Sequence, residues 1–316
     1  MPTFRIHPDP DLPGVVRVVR AGRPEQDALP TAELPGPRVG VLAALHGDEP
    51  CGLRAHEWLL EHARAGTLAF TGGTLVLVHG NLEATRLGVR YTPDGYDLNR
   101  ICDLAFMETL PEAEWGYEHH RARALHPLLC ALDAGLDLHS AHAPTEPFAI
   151  ALEGSLEVAR QLGVDWVTHG WEEASDVGSG VALARVSERG RPAVAVECGG
   201  HGELAQAEGP AVRGTPEQVA IAVVPRFLRA LGLWEGPAPS AERPPRVLRV
   251  HSILGKPSRA FRFLRPLRGF ERLEAGQPLG SDGEREVRCP IDCVALMPND
   301  EVPLGKPYLY LALESA

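Results

Sequence analysis

The sequence predicts an α/β protein: a mixed, mostly parallel sheet with helices on both faces, followed by a small C-terminal all-β domain. Three observations carry that prediction. Continuous apolar runs such as Val39-Gly40-Val41-Leu42-Ala43-Ala44-Leu45 and Ala193-Val194-Ala195-Val196 mark strands buried on both faces. Segments with helix start and stop signals fall between those runs, and such alternation favours parallel pairing through crossover helices. Past the proline-rich linker Trp234 to Pro245, helical patterning gives way to short β-like pieces separated by Gly and Pro turns.

Taken in order, the first 36 residues are proline-rich and irregular, with one strand at Val15 to Arg20. The run from Val39 to Leu45 is the first buried strand and ends abruptly in His46-Gly47-Asp48-Glu49-Pro50. Proline in the first turn, apolar Leu53, Leu59, Leu60 and Ala63, and a terminal Gly66 predict a helix from Pro50 to Ala65. Leu75 to Val78 reads as a second buried strand, leading through His79-Gly80 into an irregular stretch that reaches Asp97-Leu98-Asn99-Arg100. Residues 112 to 134 read as a long helix closed by Gly135. Leu136 to His139 and Phe148 to Leu152 read as strands, and Ser155 to Leu162 as a helix stopped by Gly163. Ala193 to Glu197 is a further strand with its charged residue at the end. Thr215-Pro216-Glu217-Gln218 has the form of a capping box with proline at the first helical position, which predicts a helix from Pro216 to Leu231. The division expected is a catalytic domain over residues 1–235 and a small β domain over 246–316.

A chain of 316 residues is long enough for one large domain, or a large one with a small companion. Hydrophobic residues at 44% and charged residues at 23% are ordinary for a folded globular protein and exclude wholesale disorder. The excess of 42 Asp and Glu over 31 Lys and Arg gives a net charge of -11, the wrong sign for gripping nucleic acid or an anionic membrane. An anionic substrate must therefore be held by local arginines. No run reaches the roughly 18 apolar residues of a membrane span, and Met1-Pro2-Thr3-Phe4-Arg5 lacks the basic-then-apolar opening of a signal peptide, so the expectation is a cytoplasmic protein. Six cysteines at irregular spacing fit reduced thiols. Cys289 and Cys293 have no second cluster to complete a tetrahedral site, and are expected to be buried or partly exposed thiols.

In an open α/β sheet, ligands collect beyond the carboxyl ends of the strands. His46 and Glu49 leave one buried strand three residues apart, His139 ends another, and Glu197 ends a third. Two histidines and a glutamate form a known zinc set with one position left open for water. A carboxylate beside that water suits a general base. A single His-x-x-Glu among 13 histidines means little, and an arginine such as Arg90 or Arg100 is ordinarily a surface ion pair. The coincidence of polar residues at three apolar strand ends is what raises the set above chance.

These residues fall in ordered motifs: His46-Gly47-Asp48-Glu49-Pro50-Cys51-Gly52, Asn81-Leu82-Glu83-Ala84, Arg90-Tyr91, Asp97-Leu98-Asn99-Arg100, Asp137-Leu138-His139 and Val196-Glu197-Cys198-Gly199. Together they resemble the succinylglutamate desuccinylase/aspartoacylase family of the zinc carboxypeptidase clan, over about residues 39 to 200, and the C-terminal β segment resembles that family's second domain. The resemblance implies a zinc carboxypeptidase-like sheet and one Zn2+ per chain bound by His46, Glu49 and His139. It implies Glu197 as general base, Arg90 as the residue that helps polarise the scissile carbonyl, and Asn99 with Arg100 at a substrate carboxylate. It also implies that the β domain covers the site entrance. A guanidinium fork suits a carboxylate bidentately, in keeping with those roles.

The expectation is thus a zinc-dependent amidohydrolase acting on an N-acyl amino acid or similar small carboxylate-bearing amide, with a homo-oligomer left open. A zinc carboxypeptidase acting on peptides and a non-catalytic zinc or ligand-binding protein on the same scaffold are the alternatives. Departures from the family pattern bear on the substrate. Leu82 replaces a usual proline, Thr92 to Tyr96 lengthen the loop between Arg90 and Asp97, and Ser140-Ala141-His142-Ala143 differs from the best-characterised members. No match is found between 180 and 190 to the tyrosine and arginine that aspartoacylase uses for its acidic substrate, and Arg185 does not align there.

Overall fold

The computed structural model describes residues 2–21, 36–141, 145–174, 181–200, 214–237 and 243–315. The strands are β1 (Phe4–Pro8), β2 (Val15–Arg20), β3 (Arg38–Ala43), β4 (Thr74–His79), β5 (Ala134–Ala141), β6 (Phe148–Ala151), β7 (Trp166–His169), β8 (Ala193–Gly200), β9 (Arg246–Gly255), β10 (Phe261–Phe263), β11 (Arg272–Leu273), β12 (Pro278–Asp282), β13 (Arg285–Arg288), β14 (Cys293–Leu296) and β15 (Pro307–Glu314). The helices are α1 (Cys51–Ala65), α2 (Leu82–Leu87), α3 (Leu104–Met107), α4 (Tyr117–Ala131), α5 (Leu156–Ala159), α6 (Trp171–Ala174), α7 (Ala184–Ser187) and α8 (Pro216–Ala230).

Among the described residues, twelve strands form one sheet in the order β1-β2-β4-β3-β5-β8-β6-β7-β9-β15-β14-β11, and β10-β12-β13 form a second. The run β4-β3-β5-β8 is parallel, as the buried apolar strands predict. The sheet as a whole is mixed rather than mostly parallel. The strand pair β1-β2 at one edge and β9-β15-β14-β11 at the other are antiparallel, and β6 runs antiparallel to β8. Short connections of the hairpin kind can join only antiparallel strands, so the chain's two ends add strands of that sense.

Alternation along the parallel strands divides two cores. Val39, Val41, Leu136, Leu138, Val194 and Val196 face Ala55 and Leu59 of α1 and Val219, Val223 and Phe227 of α8. Leu42, Val76 and Val78 face the other way, onto Ala122, Leu125 and Leu129 of α4 and Val186 of α7. Period-two alternation thus puts helices on both faces. The C-terminal region is all β, but β9 pairs in parallel with β7, so it continues the central sheet. Part of the predicted linker, 238–242, lies outside the described residues.

Several boundaries move. β3 stops at Ala43, because Ala44 turns into a left-handed conformation at φ 50° and starts the exit toward His46. The predicted helix over 112–134 is a 3-10 turn at Glu112–Glu114 followed by α4, and the chain is extended again at Leu132. Gly135 is not a helix stop. It lies inside β5, where a Cβ would fall 2.6 Å from Leu183 Cδ2, so glycine there makes room for the segment leading into α7. Cys289 and Cys293 are buried thiols with their sulfurs 3.6 Å apart. No helix among the described residues is long and apolar enough to cross a membrane.

Candidate active site

The site begins where β3 ends. The Glu49 N–H donates to the His46 carbonyl at 3.2 Å, a tight turn that aims both side chains to one side. Glycines let the neighbouring helices close on this turn: a Cβ on Gly47 would fall 2.2 Å from the backbone of Ala84 in α2, and one on Gly52 would fall 2.7 Å from Ala43 Cβ. His139 comes from β5, and the β5-β8 register sets it opposite Glu197. His46 Nδ1 lies 2.8 Å from Glu49 Oε1, and His139 Nδ1 lies 2.8 Å from Glu49 Oε2. One ligand atom from each of the three residues lies within 4.8 Å of the others, and all three residues are buried.

The far side of each imidazole meets a carboxylate. His46 Nε2 faces Asp97 Oδ1 at 2.9 Å, and His139 Nε2 faces Asp137 Oδ2 at 2.8 Å. When each Nε2–H donates to its aspartate, each Nδ1 lone pair is turned toward Glu49, and the facing acceptors require a proton or a cation between them. The electrostatics follow from that. Burial would lower the pKa of His46, but Glu49 and Asp97 outweigh it and raise it. Burial would likewise lower His139, yet Asp137 and Glu49 hold it well above the ordinary value. Glu49 is held well below its ordinary value because His46 and His139 outweigh its burial.

Arg90 is half-buried and ties this cluster together. Its Nε and Nη2 donate to Asp97 Oδ2 at 3.2 and 2.9 Å, and its Nη1 donates to Glu49 Oε1 at 3.2 Å. Its Nη2 also lies 2.8 Å from His46 Nε2, but a ring nitrogen that gives its proton to Asp97 cannot accept from the guanidinium, so the bond to Asp97 is the operative one. Asn99 is buried, with Oδ1 accepting from the Ala182 N–H at 2.9 Å and Nδ2 standing 3.3 Å from His139 Nε2. Its Oδ1 therefore holds the segment before α7, while its Nδ2 stands beside a ring nitrogen whose proton is given to Asp137. Arg100 next to it is exposed, with Nη1 donating to the Asn99 carbonyl at 2.7 Å.

Glu197 is 9% exposed, and its Oε2 is buried with no hydrogen-bond partner among the described residues. Burial pushes its carboxyl up to about 7, with His139 pulling the other way. Arg185 is buried and pairs with Glu188 at 2.5 Å, with Asp103 at 3.8 Å. His119 is buried and accepts from the Gly116 N–H at 3.2 Å. His142 and His201 lie outside the described residues.

Two residues stood in the motifs without a role, Asp97 and Asp137, and both hold an imidazole. A signal for Asp137 was available: residues two apart in a strand share a face, so Asp137 and His139 had to point together. Tyr310 of β15 was missed altogether. Its ring lies 5.0 Å from that of Trp171, and burial pushes its phenol pKa up while Arg100 and Arg90 pull it down. Nothing in the local sequence ties that strand to residues around 90 to 100.

The fold and this cluster define an α/β protein with a buried His/Glu/His group, able to hold a metal ion, toward the carboxyl ends of parallel strands. Residues 35–213 match the family described as succinylglutamate desuccinylase/aspartoacylase catalytic domain, and the chain belongs to that family. Two curated relatives, both named N-acyl-aromatic-L-amino acid amidohydrolase (carboxylate-forming), are 35% identical. The mouse protein aligns over 124 residues, 37% of this chain and 38% of its own length. The human protein aligns over 123 residues, 37% of each chain. The match thus spans little more than a third of either relative. Among solved structures, succinylglutamate desuccinylase from Vibrio parahaemolyticus superposes with a TM-score of 0.68 at 17% identity, covering 100% of this chain and 92% of its own. Murine aminoacylase 3 gives 0.60 at 20% identity, covering 89% and 97%. Likenesses at that identity establish the fold.

Proposed function

We propose that this protein is a zinc-dependent amidohydrolase that cleaves the amide bond of an N-acyl amino acid, releasing a carboxylate and a free amino acid. The observation that carries the reading is the convergence of His46, Glu49 and His139 on one point, with Glu197 opposite His139 in the adjacent strand. The donor set fits zinc: two imidazole nitrogens whose far sides are fixed by Asp97 and Asp137, and one carboxylate. His46, Glu49 and His139 would hold one ion per chain. Zinc, when bound, supplies Lewis-acid chemistry that acidifies water and polarises a carbonyl.

The remaining roles belong to this chain's own groups. Glu197, buried and raised toward neutral pH, takes a proton from the attacking water and returns it to the departing amine nitrogen. Arg90 donates to the oxyanion that develops on the amide oxygen. Arg100, exposed beside Asn99, receives the substrate carboxylate through its guanidinium fork. Residues 1–235 form the catalytic unit in this reading, and 246–316 stand beside its entrance. Support comes from Phe270, whose ring lies 5.2 Å from that of Phe148, the β6 partner of Glu197, and from the effect of Arg100 and Arg90 on Tyr310.

The relatives' name makes N-acyl aromatic amino acids the first substrates to test. A screen of N-acetyl aromatic, aliphatic and acidic amino acids and short peptides, run with and without a chelator, is the experiment. Chelator-sensitive release of a free amino acid is expected. Activity on peptides alone would turn the reading into a carboxypeptidase, and no turnover of any substrate by zinc-loaded protein would overturn it.

A further inference from the structure

Glu118, the second residue of α4, is fully buried although it carries a carboxylate. Its Oε1 accepts from the Thr92 N–H at 2.7 Å and from Asn81 Nδ2 at 3.1 Å. Its Oε2 accepts from the Thr92 hydroxyl at 2.9 Å and from the Tyr96 N–H at 3.4 Å. Three of these donors lie at the two ends of the segment 92–96, and the fourth is the residue that caps α2. A buried carboxylate without donors is costly, so the loop and the acid each require the other's placement.

The loop is shaped to wrap that carboxylate. The Gly95 N–H donates to the Thr92 carbonyl at 2.8 Å, and Asp94 takes a left-handed φ of 60°. A Cβ on Gly95 would fall 2.3 Å from Glu118 Oε2, so only glycine lets the backbone pass this close. The residues that bracket the wrapped segment are Arg90 and Asp97. They are bonded to each other at 2.9 Å, and Asp97 in turn holds His46 Nε2 at 2.9 Å. The Arg90 carbonyl accepts from the Gly47 N–H at 3.1 Å, which joins the loop to the turn carrying His46 and Glu49.

We infer that Glu118 is a positioning residue: it is the template on which the 92–96 segment folds, and through that segment it sets Arg90 and Asp97 against His46. The inference rests on the roles given to Arg90 and Asp97 in the reading above. Among the described residues Glu118 makes no hydrogen bond to the His/Glu/His cluster or to Glu197, so its effect on turnover must travel through its partners, three donors in the loop and one at the cap of α2.

The test uses Glu118→Gln in wild-type and Arg90→Ala backgrounds, as the zinc-loaded full chain. Glutamine keeps the shape but turns an NH2 toward donors. Expected is a loss of about 10-fold or more in kcat on an N-acetyl aromatic amino acid, with KM moving less than about 3-fold and metal content unchanged. In the Arg90→Ala background the same change should cost less than about 3-fold, since what Glu118 positions is gone. Trypsin gives a readout independent of activity: cleavage after Arg90 should accelerate in Glu118→Gln while cleavage at other arginines stays at the wild-type rate. A uniform rise at all sites, equal losses in both backgrounds, or unchanged kcat would overturn the inference. If Glu118→Gln does not fold, Thr92→Val removes one donor alone and must give a smaller kcat loss with the same selective cleavage. A wild-type protein that hydrolyses nothing overturns the proposed function instead, and the trypsin pattern still decides the role of Glu118.

Discussion

Replacing Glu197 by Gln should leave metal bound and slow turnover by about 100-fold or more, the lower end of what a positioned general base contributes. The structure sets that scale. The side chain is 9% exposed and one oxygen has no partner among the described residues, so the charged form is poorly solvated. Its carboxyl moves from an ordinary 4.5 to about 7, equivalent to about 3 kcal/mol of lost stabilisation of the anion. That cost makes it a stronger base than a solvated glutamate, and the amide introduced by Glu197→Gln has none of that basicity. The sign of the pH dependence follows: a base works deprotonated, so kcat/KM should fall as pH falls through its pKa. A divalent cation beside it favours the charged form, so the acid limb should lie at or below about pH 7. The assay is kcat and kcat/KM against pH for both proteins on one N-acyl amino acid, with metal content measured on the same samples. If Glu197→Gln retained wild-type turnover and the same acid limb, the base would be another group and the reasoning from burial would be wrong.

The metal assignment predicts that His46→Ala combined with His139→Ala abolishes stoichiometric zinc by elemental analysis, while Asp137→Asn weakens zinc affinity by about 10- to 100-fold, the usual effect of losing the partner that orients a ligand. The carboxylate assignment predicts that Arg100→Lys lowers kcat/KM by about 10- to 150-fold, mainly through KM, because it keeps the charge and loses the fork. Amidating the substrate's carboxylate should cost wild-type activity heavily and barely affect Arg100→Ala. Acid stability follows from His56, whose Nε2 donates to the Val41 carbonyl at 2.9 Å and whose burial lowers its pKa from 6.5 to about 4. Between those values the unfolded chain binds the extra proton, so the contribution of His56 to stability should be full above about pH 6.5 and decline by about 3 kcal/mol toward pH 4. Urea unfolding at pH 7 and pH 4.5 measures it, and His56→Gln should flatten the slope.

The parallel strands and the residues at their ends were legible because burial on both faces writes an unbroken apolar run, and a charged residue closing such a run has few structural explanations. Thus β3, β4, β5 and β8 were found, with His46 and Glu49 just past the end of β3, although His139 and Glu197 lie two and three residues before the ends of β5 and β8 rather than closing them. The weaker readings share a physical cause. α4 carries Pro127 and begins after a separate 3-10 turn, so apolar periodicity alone overran both of its ends. β1 is only partly buried and lacks the signal of a core strand. Glu118 and Tyr310 belong to the site's surroundings through contacts made far along the chain, which no local pattern encodes.

Charge balance explains why these residues come as a set. Glu49, Asp97, Asp137 and Glu197 bring four carboxyl groups to one region, and Arg90 is the fixed cation bonded to two of them. With both imidazoles neutral and every carboxyl ionised, the sum is three negative charges in a largely buried volume, which the surrounding protein disfavours strongly. Protons are one remedy, and the raised pKa values of His46, His139 and Glu197 are its signature. A divalent cation among His46, Glu49 and His139 is the other. It would displace the imidazole protons and leave a net charge near minus one, with Glu197 the least paired of the four carboxyls. Loading zinc into the protein should therefore release protons, with a yield that grows as pH falls toward 6 because the imidazoles are then more fully protonated. Titration in weakly buffered solution with a pH indicator measures that yield. A yield near zero at pH 6 would mean that the ion does not sit between these imidazoles and Glu49.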